Sequence, residues 1–234
     1  MNGVTFTRPL TLNKPVSGTV SLSSAFTSTS TVTLSTGTLD LQTYTLTATT
    51  FNSNTAAART LAFGTGNIVV NGTGTVWITA LGASVLTVTG TPTVNVSNTT
   101  ATATTVSPGS PTEANSISFN FTTGTYALTF SAGSVRNLNF TGFAGTMANA
   151  AKTIYGNLTL AAAYTAGTNA WTFAATSGTK TITSGGFTVD WPLTFDGVGG
   201  TWQLQDALTM GSTRALTHTN GTLDMNGLTL TAGS

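Results

Sequence analysis

The chain reads as an all-β protein, a β-solenoid (parallel β-helix) of short strands, on three observations. The first is internal repetition. Residues 37–48 read GTLDLQTYTLTA and residues 221–232 read GTLDMNGLTLTA, identical at eight of twelve positions. The match extends upstream: Pro9-Leu10-Thr11 recurs as Pro192-Leu193-Thr194, and Gly18-Thr19 with Leu22, Ala25 and Thr27 recurs as Gly200-Thr201 with Leu204, Ala207 and Thr209. Self-similarity outranks other clues to fold because it marks a structure built by stacking like units. The second observation is spacing. Short apolar-polar alternations begin about 7 to 12 residues apart and are separated by Gly, Asn and Ser, the residues that supply positive φ or local side-chain turns. The third is composition. About a quarter of the chain is Thr, 26 residues are Gly, and only 6% are charged.

The alternation can be followed along the chain. Val32, Leu34, Leu39, Leu41, Leu46 and Ala48 alternate with small polar residues. Period two with Thr between is the pattern of a half-buried strand. The same pattern recurs through Leu61 and Phe63, Ile68 and Val70, Val76 and Ile78, Leu86 and Val88, and Val94 and Val96. It continues in Ile117, Phe119 and Phe121, in Tyr126, Leu128 and Phe130, and in Leu138 and Phe140. Later pieces carry Leu158 and Leu160, Trp171 and Phe173, Phe187 and Val189, Leu193 and Phe195, and Trp202 and Leu204. Strands this short, often with two inward positions, suit a stack of coils better than a sandwich. Asn-Gly hairpin pairs are also scarce, with Asn71-Gly72 and Asn220-Gly221 the main exceptions. At about 20 to 25 residues per coil the chain makes about ten coils, a rod of roughly 50 Å at the usual strand spacing.

Two segments break the rhythm. Residues 104–115, TTVSPGSPTEAN, hold two of the six prolines and the only Glu, and read as a loop leaving the coil or a seam. Residues 144–152, AGTMANAAK, are Ala-rich and suit either one helical turn or a loose loop. The expected organisation is a first solenoid block over 1–103, the Pro/Ser loop or seam at 104–115, and a second block over 116–234, in which 192–232 repeats 9–48. The chain is expected to be a little over one unit of a longer array.

Composition narrows the function. A net charge of +1 gives no electrostatic footprint for nucleic acid or an anionic membrane. No stretch approaches the ~20 apolar residues of a membrane span. There is no cysteine, so disulfides and thiolate chemistry are excluded. The apolar fraction of 39% is patterned, which argues against disorder.

Reactive residue types are sparse in the sequence. His218 is the only histidine, and it aligns with Leu34 of the first copy, which marks it as a strand residue. Glycosidases need a pair of acids, and Asp190, Asp196 and Asp206 are the acids closest together in sequence; their spacing does not stack them in register, so they read as turn residues. Asp40 and Asp224 occupy equivalent places in the repeat and read as structural. Gly64-Thr65-Gly66 and Gly72-Thr73-Gly74 lack the lysine and following helix of a phosphate loop. No Ca²⁺-binding spacing occurs. The chain is expected to be no enzyme and to need no cofactor or metal. Trp202 aligns with Val20 and reads as core, while Trp77, Trp171 and Trp191 could form a strip on which a glycan stacks. Repeated Thr-x-Thr pairs raise ice binding as a further possibility, but their spacing along the chain is irregular.

The segment GTLDLQTYTLTATTFNSNTAAARTLAFGTGNI resembles the Thr/Gly/Asn-rich repetitive regions of bacteriophage tail fibres and of large bacterial surface adhesins. That resemblance implies an extracellular or virion-surface fibrous protein, often β-helical and often oligomeric. The expected function is therefore a non-enzymatic structural fibre or spacer, part of a phage tail fibre or a virion- or cell-surface filament. Its expected partners are copies of itself or neighbouring repeats, and a host-surface glycan. A carbohydrate- or ice-binding module of a surface adhesin is the alternative.

Overall fold

The computed structural model describes residues 5–79, 85–161 and 165–232. These hold 27 strands and the 3-10 turn Glu113–Asn115. The chain winds as a parallel β-solenoid of about ten turns, and each turn visits three faces. The first face is built from Phe26–Ser28, Thr45–Ala48, Asn67–Val70, Thr93–Val96, Ser118–Phe121, Leu138–Asn139, Leu158–Thr159, Thr179–Thr183 and the second half of Leu193–Leu204. The second begins with Leu10–Asn13 and the start of Thr31–Asp40, runs through Thr50–Asn52, Gly74–Ile78, Thr104–Ser107, Ala127–Phe130 and Thr146–Met147, and resumes as a separate three-stranded sheet of Thr188–Val189, Leu208–Met210 and Leu230–Thr231. The third holds Thr19–Ser21, the end of Thr31–Asp40, Arg59–Ala62 and Leu86–Thr89, and further on Gly133–Val135, Lys152–Ile154, Trp171–Phe173 and the start of Leu193–Leu204.

Parallel pairing puts like residues above like. On the first face the inward column is Leu46, Ile68, Val94, Phe119, Leu138, Leu158, Ile182 and Leu204, each paired with the next. On the second it is Leu10, Val32, Phe51, Trp77, Val106 and Phe130. On the third it is Val20, Leu39, Leu61 and Val88, and beyond them Val135, Ile154, Phe173 and Phe195. These columns meet in one continuous apolar core. Rings in one column stack at the strand spacing itself: Phe51 on Trp77, Phe121 on Phe140 and Phe173 on Phe195 all lie 4.8 Å apart, against about 4.7–4.9 Å between neighbouring strands.

The outward positions carry threonine ladders. Thr19, Thr38, Thr60 and Thr87 form one on the third face, and Thr153, Thr172, Thr194 and Thr217 form another farther along it. Each methyl packs on the neighbouring coil while the hydroxyl meets water. On the first face Asn95, Asn120 and Asn139 replace Thr, and the Asn120 side-chain amide donates to Asn95 Oδ1 at 3.1 Å. At the corners asparagines tie coil to coil. Asn137 Oδ1 accepts from the Asn157 backbone N–H at 2.8 Å, and Asn157 Oδ1 accepts from Thr181 N–H at 2.9 Å.

The sequence repeat takes on a definite meaning here. Asp40 Oδ1 accepts from Gln42 N–H at 2.9 Å, and Asp224 Oδ1 accepts from Asn226 N–H at 2.8 Å. Among the described residues, Gln42 and Asn226 are the non-glycine ones with positive φ, 57° and 52°. Tyr44 N–H then bonds Leu41 O at 2.9 Å, and Leu228 N–H bonds Met225 O at 2.8 Å. The repeated segment thus encodes one corner turn. The two copies do not occupy the same corner, however. Residues 38–40 lie on the third face and lead into the first, whereas 222–224 lie on the first face and lead into the second. The repeat has advanced by one face.

Both rhythm-breaking segments differ from the expectation in part. Thr104–Ser107 stays within the coil as a strand, and only the stretch after it leaves the strand pattern, in the turn at 113–115. The Ala-rich segment holds no helical turn: Thr146–Met147 and Lys152–Ile154 are short strands. Lateral pairing to the coils on either side outweighs the local helix preference of alanine.

Column packing leads to a stability prediction. Phe121→Ala, which empties a fully buried rung between Val96 and Phe140, is expected to destabilise the fold by about 3–5 kcal/mol. Thr172→Val, on an outward ladder, is expected to stay within about 0.5 kcal/mol. Chemical denaturation of the two variants checks the contrast.

Candidate functional site at the ends of the column

Inward side chains in the middle of the column are almost wholly buried, but those of the first and last coils are not. Phe6, Leu10, Leu12, Val20 and Leu22 are half-buried, and together with Phe26 they line an apolar cavity of about 310 Å³ at the first coil. At the other end Leu216, Leu223, Met225, Leu228 and Leu230 are half-buried against the core. Backbone groups follow the same division. In the first copy of the repeat, Gln42 O accepts from Thr65 N–H at 2.9 Å, a bond from the next coil. Asn226 occupies the equivalent place in the last described coil, which has no further described coil above it. Within the described residues the first and last coils therefore show apolar rungs ringed by strand edges, and such edges are templates for more pairing.

The tryptophans proposed as a glycan strip lie elsewhere. Trp77, Trp171 and Trp191 are at most 1% exposed. Trp77 stacks on Phe51, its Nε1 donating to Thr79 Oγ1 at 3.1 Å. Trp171 lies 4.7 Å from Trp191 and donates to Ala150 O at 3.1 Å. A sugar stacks only on a ring face open to water, and these rings offer none. They fill the column, as Trp202 does.

The three clustered aspartates stand at three different corners of one coil. Asp190 follows the second-face strand Thr188–Val189 and pairs with Arg214 Nε at 2.6 Å. Asp196 follows the third-face segment and accepts from Asn220 Nδ2 at 2.6 Å. Asp206 follows the first face and accepts from Ser184 and Gly185 N–H, both at 2.7 Å. Each carboxylate braces a turn to a neighbouring coil. His218 sits in the strand Leu216–Asp224, paired with Phe195 at an inward position of the last coil, and is exposed. Among the described residues no three His, Asp or Glu side chains gather as a metal site, and no helix is long and apolar enough to cross a membrane. The threonine ladders run single file: beside Thr19, Thr38, Thr60 and Thr87 stand Ser21, Asp40, Ala62 and Thr89, not the second threonine row that ice recognition calls for.

Two buried cations escaped the sequence reading. Arg59 occupies an inward position, where its Nε donates to Ser53 Oγ at 2.6 Å and Nη1 to Ala57 O at 3.0 Å. Lys152 is 2% exposed between Gly133 and Trp171 on the third face. Its Nζ donates to Phe130 O and Ala150 O, both at 3.0 Å, and lies 5.0 Å from the Phe130 ring and 5.1 Å from the Trp171 ring. Burial outweighs these contacts and lowers the Lys152 pKa from 10.5 to about 7. The alternation that marks Leu61 and Ile154 as inward places Arg59 and Lys152 on the same side, so a signal for both was available.

Comparison of the chain with protein-family models, with curated proteins and with solved structures finds no match.

Lys152 makes stability depend on pH. Between about pH 7 and 10.5 the unfolded chain holds a proton on this amine that the folded chain lacks, so stability rises with pH across that window and levels off below it. The expected result is a Tm that climbs from about pH 7 to about pH 9.5, below the titration of ordinary tyrosines. Lys152→Met is expected to flatten the climb and to raise Tm most at neutral pH. A wild-type profile as flat as that of the variant contradicts the assignment.

Proposed function

We propose that the chain is a non-enzymatic shaft or spacer of a fibre displayed on a virion or cell surface, and that its column is continued by further coils, supplied by neighbouring repeats or by another copy of itself. One observation carries this reading: the core is a single unbroken stack whose first and last rungs are as apolar as the middle ones but lie half-open. A solenoid coil gains its stability from the coil above and the coil below, and the end coils lack one of these neighbours within the described chain. Head-to-tail contacts of this kind are heterologous and extend into filaments. A threonine-coated surface with 6% charge supports a role in the open, since hydroxyl ladders keep such a column wetted without charge. The turn-bracing roles of Asp190, Asp196 and Asp206 agree with a protein that carries load or distance.

The purified chain is expected to form linear assemblies that lengthen with concentration, seen by sedimentation velocity and by electron microscopy. Leu12→Lys at one end and Leu228→Lys at the other should each stop growth with the β-sheet circular dichroism unchanged, and Thr60→Lys on a side face should not. A wild-type chain that stays monomeric at high concentration, or end variants that assemble as the wild type does, would reject end-to-end stacking.

A further inference from the structure

The corner where the third face turns into the first is not uniform along the column. Over four consecutive coils it opens into a polar cavity of about 400 Å³, lined among others by Glu113, Arg136, Tyr155, Asn157 and Lys180. The cavity exists because the stretch after Thr104–Ser107 leaves the strand pattern and sends Glu113 along the corner. Its carboxylate accepts from Thr176 N–H at 3.1 Å and from Thr176 Oγ1 at 2.7 Å, a contact between residues 63 apart in sequence. Arg136 is anchored beneath it, one guanidinium nitrogen donating to Ala114 O at 3.2 Å.

The balance of donors and acceptors in this cavity is lopsided. Its side-chain acceptors are already engaged: Glu113 with Thr176, Asn137 Oδ1 with Asn157 N–H, and Asn157 Oδ1 with Thr181 N–H. Its donors are not. Among the described residues the Lys180 ammonium, the Tyr155 hydroxyl, the Asn157 side-chain amide and the remaining Arg136 N–H groups bond to no protein acceptor. Two cations against one engaged carboxylate leave the cavity net positive. A ligand that satisfies it must be rich in acceptors and negatively charged, and a guanidinium fork binds an oxyanion in bidentate fashion. The cavity falls in the size range of small-molecule sites. At about 4.8 Å per coil it extends roughly 14 Å along the column, more than a free inorganic anion fills. Its lining is polar, which suits a hydroxylated ligand and not an apolar one.

We propose that this corner cavity binds an acidic oligosaccharide, with Arg136 and Lys180 holding the carboxylate or sulfate and with Tyr155 and Asn157 donating to ring hydroxyls. Titration calorimetry on the full chain tests it with four probes: an oligogalacturonate, a sulfated maltooligosaccharide without carboxylates, a neutral maltooligosaccharide of equal length and inorganic phosphate. One or both acidic saccharides should bind at a single site, more weakly as salt rises, and the comparison between them separates carboxylate from sulfate. The neutral saccharide and free phosphate should bind far more weakly. Arg136→Gln and Lys180→Gln should each weaken binding about tenfold or more, Tyr155→Phe should weaken it less, and Lys14→Gln, a cation elsewhere, should leave it unchanged, all with wild-type circular dichroism. The proposal falls if no acidic saccharide binds, if the neutral saccharide or phosphate binds as well as the acidic ones, or if the two cation variants bind as the wild type does.

Discussion

The vertical distance between parallel strands governs everything else in this molecule. Each coil lies about 4.8 Å above the last, and a side chain that points inward has as its closest neighbours the residues directly above and below it. Some aromatic rings therefore lie flat against the ring that follows, as Phe121 does on Phe140 and Phe173 on Phe195, while others tilt, as Phe195 does against His218. Coils differ in length, from 19 residues between Phe119 and Leu138 to 29 between Trp77 and Val106. The excess is taken up at corners so that the inward columns stay aligned. That division of labour explains why corners hold the glycines and the Asx turns and why faces hold threonine. At Gly64, with φ of 55°, a Cβ would collide with the Gln42 carbonyl of the coil below.

The scarcity of charge follows from the same arrangement. A column that pairs most of its strands with two others satisfies most backbone groups internally, and its outer surface needs only hydroxyls and amides to stay hydrated. The few charges that remain have tasks. Asp190 and Arg214 clamp two coils together, Asp206 caps a turn of the coil before it, and Glu113 fastens a detour of the chain to a distant corner. Lys152 is the costly one: an amine set among aromatic rings, holding two carbonyls from separate turns.

Fold and site were legible in the sequence to different degrees, for physical reasons. Period-two alternation reports which side chains face inward, and Val32, Leu34, Leu46, Val94 and Phe119 are all core. Alternation marks Trp171 beside Phe173 as inward, but it does not give the register between coils, so the sequence leaves a surface strip of Trp77, Trp171 and Trp191 open; the structure buries all three. Chemical type misled in the opposite sense for Arg59 and Lys152, whose charge hid an inward position that their spacing gave away. The corner cavity at Arg136 and Lys180 joins residues 20 or more apart. It depends on coil length, which varies by several residues from turn to turn and cannot be summed accurately along a sequence.

The one-face advance between the two copies of the GTLD corner bears on how such a column would display anything it carries. If the same period were continued, successive copies would come round by a third of a turn each time. A feature borne on that corner would then trace a slow spiral up the shaft, facing a partner surface from three directions in succession and not forming a stripe along one side.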